Sequence, residues 1–292
     1  MKKKIINFLE QNRKIPLPED ALFHVIPAPY EKSVSYGKGT RRGPKAILEA
    51  SSQIELFDGI SVPYDKGIYT YPFLSCSGDH KSAIREIRKT VKKTIKMGKI
   101  PVMLGGEHTA TLGPVSAFCE EYGDSFAVIQ FDAHADLRDK YRRGAEYSHA
   151  CVMRRIYQDY KLKIFQIGVR SMSLECNQYR KSENIPYLDA LSIAKSETLK
   201  DEFLPGDFPQ KVYVTIDVDG LDPSVIPATG TPEPGGLSWY QMLDILESIT
   251  KIRKVVGFDV VELAPIKGLH FANYAIARLV YNFIGMIARN QH

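Results

Sequence analysis

Six side chains able to hold metal ions stand at three distant places in this 292-residue chain. FDAHADLRD sets Asp132, His134 and Asp136 at alternate positions, DVDGLDP carries Asp217 and Asp219, and GGEHTATLG carries His108. Carboxylates crowded together without a cation repel one another, and their pKa values rise. A divalent metal removes that cost. Imidazole and carboxylate donors with no thiolate among them suit first-row divalent ions rather than a structural zinc. Four carboxylates and two imidazoles exceed what one four-coordinate ion requires. Because carboxylates bridge, the inventory points to a pair of metals about 3.5 Å apart.

Each cluster also has a plainer reading. The glycines of GGEHTATLG suit an anion at a helix start, but the Lys-Ser/Thr pair of a phosphate loop is missing. His108 alone could be a hydrogen-bonded structural histidine. DVDG opens like a calcium loop, yet the twelfth position from Asp217 is Ala228, where that loop needs glutamate. Asp132, His134 and Asp136 could form a network of charged side chains at a sheet end.

The elements that must position these residues are short apolar runs: FHVI, PVML, FAVIQF, KIFQIGV, KVYVTI and VVGFDVV. Helical patterns lie between them, including SAIREIRKTVKKTI, TLGPVSAFCEEY, SHACVMRRIYQDY and SWYQMLDILESI, and ANYAIARLVYNFIGMIA closes the chain. Alternating strands and helices predict an α/β fold with a mainly parallel sheet covered on both faces, a three-layer αβα arrangement. All three polar clusters then fall at carboxyl ends of strands, where ligands collect in such sheets. On one strand Asp132, His134 and Asp136 would share a face but span about 13 Å, too far for one metal pair. The strand is therefore expected to end near Asp132, with the chain turning so that His134 and Asp136 fold back.

A single domain over residues 1–292 is expected, with 1–20 an extension of undefined role. The Pro/Gly-rich segment 224–238 reads as one long functional loop between a strand and a helix. A net charge of +5 is too small and too diffuse to predict nucleic-acid binding. The basic stretch Lys81–Lys99 reads as a solvated helix face. Four cysteines without close pairing read as reduced thiols of a cytoplasmic protein. MKKKIINFLEQNRK imitates a secretory signal, but its apolar run is too short and no small-residue cleavage site follows. No window approaches the roughly 20 apolar residues of a membrane span, so no membrane partner is expected.

The order and spacing of GGEHTATLG, FDAHADLRD, SHACVMRRI, VTIDVDGLDPSVIPATGTPEPGG and VGFDVVELAP resemble the ureohydrolases, the arginase and agmatinase family, over roughly residues 22–288. SYGKGTRRGPKAIL resembles that family's N-terminal loop and helix. The resemblance implies two Mn²⁺ per chain: His108 and Asp136 on one ion, His134 and Asp219 on the other, Asp132 and Asp217 shared. It implies that His149 shuttles protons and that Glu262 holds a substrate guanidinium, and general acid-base chemistry allows Asp136 to relay a proton. It also implies a homotrimer or homohexamer acting on a small guanidino compound. Physical chemistry agrees: water held between two divalent cations is acidified towards neutral pH, and a carboxylate can orient a planar guanidinium through paired hydrogen bonds. Plainer readings make His149 the first residue of a surface helix capped by Ser148, and Glu262 a salt-bridge partner.

LRDKYRRGAEYS, between Asp136 and His149, lacks the Asn-rich segment by which arginases hold an α-amino acid, and SHACVMRRI is more like agmatinases. Agmatine, cleaved to putrescine and urea, is the leading expectation. Arg142 or Arg143, if turned inward, would instead favour a carboxylate tail, as in 4-guanidinobutyrate or 3-guanidinopropionate, with Asp139 and Glu146 as compensating charges. A non-catalytic metal-binding relative is a further alternative, against which the complete ligand set speaks. Glu107 stands where many members of the family have aspartate, and reads as support for the neighbouring ligands.

Overall fold

The computed structural model describes residues 6–10, 15–196 and 203–290. Eight strands are described: β1 (Phe23–Ala28), β2 (Ile68–Thr70), β3 (Ile100–Gly105), β4 (Phe126–Phe131), β5 (Ile164–Ile167), β6 (Tyr187–Leu188), β7 (Lys211–Asp217) and β8 (Lys254–Val261). They form one sheet in the order β2-β1-β3-β8-β7-β4-β5-β6, and every pairing is parallel. The chain builds β1 to β3, jumps to β4 to β6, then returns with β7 and β8 to fill the gap between β3 and β4. That reversal of direction is where an open parallel sheet leaves a crevice. The four strands bordering it are the ones whose ends carry the polar clusters.

Alternation along β4 shows how the sheet is covered. Ala127, Ile129 and Phe131 join one buried cluster, and Phe126 and Val128 join the other, as the period-two geometry of a strand requires. On the first face lie α1 (Gly43–Ser51), α7 (Trp239–Ile252) and α8 (His270–Asn290). On the second lie α2 (His80–Lys96), α3 (Leu112–Tyr122) and α4 (Val152–Gln158). Two short helices, α5 (Leu174–Ser182) and α6 (Ala190–Lys195), flank the edge beside β6.

α2 starts at Asp79, whose carboxylate accepts from the backbone N–H of Ser82, a capping bond that satisfies one free donor of the first turn. It buries Ile84, Ile87 and Val91, while Arg88 and Lys92 reach Glu120 of α3. The basic stretch is a solvated face.

The expectation about membrane spans needs correction. α8 is long and apolar enough by length and composition to cross a bilayer, because its apolar face is broad. It is a core helix, mostly buried and packed between α1 and α7. The N-terminal extension also gains a role in its described part. Phe8 and Leu9 are buried in the core, their N–H groups donating to the Thr70 hydroxyl and the Ser51 hydroxyl, each at 2.9 Å. Residues 1–5 and 11–14, including the N-terminal lysines, lie outside the described residues. All four cysteines are free thiols.

Candidate metal centre

β4 ends at Phe131, and the chain turns within DAHAD as the span argument requires. Asp136 sits in left-handed backbone, φ 51°, a conformation uncommon for a residue with a side chain. It swings its carboxylate back under the strand end. The amide of Gln130, the last but one residue of β4, donates to Asp132 Oδ2 at 2.7 Å and accepts from Gln166 of β5 at 2.6 Å. Asp132 Oδ1 accepts the N–H of His134, also at 2.6 Å. Asp217 closes β7, and Asp219 lies in the 3-10 turn that follows, its Oδ1 accepting the N–H of Ala133 at 3.0 Å. The two acidic clusters, eighty residues apart, are therefore stitched backbone to side chain.

His108 opens a short 3-10 turn after β3. Its Nδ1 is 3.1 Å from Asp136, 3.2 Å from Asp132 and 3.5 Å from Asp217. His134 Nδ1 is 3.1 Å from Asp219 and 3.5 Å from Asp132. Two donor groups result, His108 with Asp132 and Asp136, and His134 with Asp132 and Asp219, and Asp132 is common to both.

These residues fit divalent cations on two independent grounds. The first is the orientation of His108. Thr215 donates its hydroxyl to Asp259 at 2.6 Å, so the same oxygen can only accept from His108 Nε2, 3.0 Å away. In the neutral ring Nδ1 is then the bare nitrogen. It is fully buried, has no hydrogen-bond partner among the described residues, and faces three carboxylates. A lone pair aimed at carboxylates calls for a cation between them.

Charge is the second ground. Burial and the neighbouring Asp132 charge push Asp136 up to about 7. Burial and the charges of Asp219 and Asp132 raise Asp217 far above the carboxylate range, and burial with Asp132 raises Asp219. Asp132 alone is lowered, because the imidazoles of His108 and His134 beside it outweigh its burial. Such repulsion is what bound cations relieve.

Glu262 follows β8 with φ 63°. Among the described residues it makes no salt bridge. Its Oε1 accepts the backbone N–H of His108 at 2.7 Å, and its own N–H donates to Gly106 at 2.7 Å. Burial and the charge of Glu107 hold its pKa well above normal. His149 begins a 3-10 turn ahead of α4, with Ser148 at the N-cap but contributing no side-chain cap. His149 is half-buried rather than on a surface helix, and it lines the cleft floor together with His134, Asp136, Asp217, Asp219 and Glu262. Burial lowers its pKa.

Glycines 105 and 106 are there for chain crossing. A Cβ on Gly106 would lie 1.9 Å from the carbonyl oxygen of Tyr30, and one on Gly105 2.6 Å from the Val261 side chain. Glu107 also departs from expectation. Its carboxylate makes no hydrogen bond to the ligand side chains, but holds the segment Lys32–Ser33 instead.

The mouth opens into a cleft of about 300 Å³ whose walls include Ser35, Arg138, Tyr141, Met172 and Thr231. Two loops border the floor, 34–37 and 230–231, and they meet backbone to backbone, Gly37 N–H donating to Gly230 at 3.1 Å. Any Cβ on Gly37 would come within 2.8 Å of Gly230. The first loop is shaped by Glu31, which accepts from the N–H of Gly39 and Arg41 and from the Thr40 hydroxyl.

Several site residues escaped the sequence reading. Arg170 gathers the second loop by donating to the carbonyls of Gly168, Asp219, Glu233 and Pro234. Glu233 stands at the rim, accepting from Ser171 at 2.9 Å and lying 4.0 Å from His134 Nε2. Arg138, not Arg142 or Arg143, lines the cleft; the latter two are exposed. Asp139 and Glu146 are engaged elsewhere, with Arg155 and Lys140. A basic residue inside DLRD was visible in the sequence, but without the turn at Asp136 its direction was not.

A family model described as "Arginase family" matches residues 21–285, and the chain belongs to that family, a class of metal-assisted amidinohydrolases. Among curated relatives, the chain is 38% identical over 280 residues to N(1)-aminopropylagmatine ureohydrolase of Synechocystis, covering 93% of this chain and 91% of that one. It is 34% identical over 279 residues to agmatinase of Pyrococcus horikoshii, covering 93% and 94%. Among solved structures, agmatine ureohydrolase of Thermoplasma volcanium superposes with a TM-score of 0.84 at 28% identity, covering 98% and 96%.

Proposed function

We propose that this chain hydrolyses a linear guanidino compound with a cationic tail, agmatine or its N(1)-aminopropyl derivative, to urea and the corresponding amine. The observation that carries the reading is one cleft floor where His134, Asp136, Asp217 and Asp219 meet Glu262 and His149, with the buried His108 and Asp132 packed against these donors. His108 and Asp136 would hold one Mn²⁺, His134 and Asp219 the other, and Asp132 and Asp217 both. When bound, such a pair supplies a water nucleophile at neutral pH.

The chain's own residues do the rest. Glu262 has one oxygen committed to the His108 N–H, which leaves the other to orient the guanidinium by charge-assisted hydrogen bonding. Asp136, on the same floor as Glu262, takes up the proton released as water adds. The C–N bond to the alkylamine then breaks, and the departing nitrogen needs that proton. His149, at the opening, exchanges protons with solvent.

The carboxylate of Glu233, 4.0 Å from His134 Nε2, suits an ammonium tail. The two relatives named above, called an aminopropylagmatine ureohydrolase and an agmatinase, support the same choice. A second reading, a guanidino acid such as 4-guanidinobutyrate, has one observation in its favour. The Arg138 guanidinium lies 5.5 Å from the Tyr141 ring centre and has no ion pair among the described residues. A homotrimeric or homohexameric assembly in the cytoplasm completes the proposal, with light scattering as the check on assembly.

The deciding experiment is urea release by the Mn²⁺-loaded protein from agmatine, N(1)-aminopropylagmatine, arginine, 4-guanidinobutyrate and 3-guanidinopropionate. Urea from the first two carries the proposal. Urea from none of the five sinks it.

A further inference from the structure

A histidine that shuttles protons must keep one ring nitrogen free, and the groups behind His149 leave it a single choice. Glu107 is fully buried. Its carboxylate accepts four hydrogen bonds: from the backbone N–H of Lys32 and of Ser33 at 2.6 Å each, from the Thr109 hydroxyl at 2.6 Å, and from the Ser33 hydroxyl. All four are donated to it, which suits a carboxylate acting only as acceptor.

A serine hydroxyl carries one proton, and Ser33 has committed its proton to Glu107. Towards His149 the Ser33 oxygen can therefore only accept. It does so from the His149 backbone N–H at 3.2 Å, and it faces Nδ1 of the same residue at 3.4 Å. A hydrogen on Nδ1 completes that contact, whereas a bare Nδ1 would set two lone pairs against each other. Tyr141 packs edge-on to the ring, centres 5.4 Å apart, and restricts its rotation.

We propose that Ser33, held by Glu107, is a positioning residue that fixes His149 as the Nδ1–H tautomer and leaves Nε2 as the nitrogen that takes and gives the proton. The inference rests on the reading of His149 as the shuttle. It also accounts for glutamate at position 107, whose side chain reaches across to the loop at 32–33 rather than to the metal donors.

The test uses full-length protein in three variants, Ser33→Ala, Ser33→Thr and His149→Asn, with metal content measured for each. Ser33→Ala is expected to lower kcat about tenfold, a part of the roughly 10²- to 10⁴-fold that a positioned acid-base group contributes, with KM and metal content unchanged. Ser33→Thr, which keeps the hydroxyl, should recover most of the loss. In a His149→Asn background, Ser33→Ala should cost nothing further. Nitrogen-15 NMR of the imidazoles, on protein loaded with diamagnetic Zn²⁺ and with His149 assigned from the His149→Asn spectrum, should show the Nδ1–H tautomer in the parent and a mixture in Ser33→Ala. An Nε2–H tautomer in the parent, or undiminished kcat in Ser33→Ala while His149→Asn is impaired, overturns the proposal. If His149→Asn itself turns over normally, the shuttle reading fails, and the NMR result alone decides the tautomer.

Discussion

The backbone N–H of His108 donates to the carboxylate of Glu262 at 2.7 Å, so the end of β3, which delivers a metal donor, also fixes the group proposed to receive the substrate. On that proposal, metal and guanidinium are referred to the same peptide unit, and substrate alignment does not depend on a mobile loop.

That contact survives replacement of Glu262 by glutamine, whose carbonyl can accept the same N–H, but the negative charge is lost. Glu262→Gln is expected to lower kcat/KM a hundredfold or more, about 3 kcal/mol of charge-assisted hydrogen bonding, at unchanged metal content. Steady-state kinetics with elemental analysis checks both halves. A parallel fall in metal would move Glu262 from substrate holding to cage support.

Asp132 belongs to both donor groups, and its replacement should therefore disturb both ions. Asp132→Asn is expected to cut metal content and urea release together. Chelation of the parent protein should lower its melting temperature, because bound cations stabilise the folded state by mass action. Scanning calorimetry with and without chelator measures the shift, and no shift would contradict a cage that depends on cations to quiet its carboxylates.

Arg138 presents a positive charge to the cleft. Arg138→Ala is expected to raise the ratio of kcat/KM for agmatine over that for 4-guanidinobutyrate about tenfold, the value of one like-charge contact of about 1.4 kcal/mol. An unchanged ratio would mean that the guanidinium lies too far from the tail to matter.

His24 gives a pH-dependent expectation far from the metal cage. Burial lowers its pKa below 6.5, aided by Lys99 and Lys93, while its Nε2 bonds to the Pro18 carbonyl at 2.8 Å. Above pH 6.5 the ring is neutral whether the chain is folded or not. As the pH falls from 6.5 towards the depressed folded value, the unfolded chain takes up a proton that the folded one refuses, and stability is lost. Urea unfolding of the parent and of His24→Gln at pH 7.5 and 5.5 should show the parent's advantage shrinking at the lower pH, by about 1.4 kcal/mol per unit of depression at most.

Arg180 is buried and pairs with Asp189 through two bonds of 2.7 and 2.8 Å, its guanidinium 3.7 Å from the Tyr187 ring centre. Asp189→Asn strands that charge and should cost about 3 kcal/mol, the lower end for breaking a buried pair. Arg180→Met, paired with Asp189→Asn, should recover part of it, and denaturant titration separates the two cases.

The six candidate donors were readable because their types are costly at sheet ends, and the end of the strand near Asp132, with the chain folding back after it, followed from the length of an extended chain. The sheet was readable where its strands are continuously apolar. β2 and β6, of three and two residues, are too short to carry a pattern, and α5 buries only Cys176 and Arg180, which leaves no apolar stripe. Arg170, Ser33 and Glu233 act through backbone carbonyls, a neighbouring hydroxyl and a rim contact. Such roles have no spacing rule. His149 and Glu262 became visible through resemblance alone, since one histidine before a helix and one glutamate after a strand are common everywhere.

The meeting of Gly37 and Gly230 sets a limit on what this cleft can learn to accept. Two loops that border its floor are joined through peptide groups that have no side chains to trim, so no truncation at that junction widens it. Changes at Arg138, Tyr141 or Glu233 can re-sort tails by charge. To admit a bulkier guanidine, whole segments of chain would have to be remade.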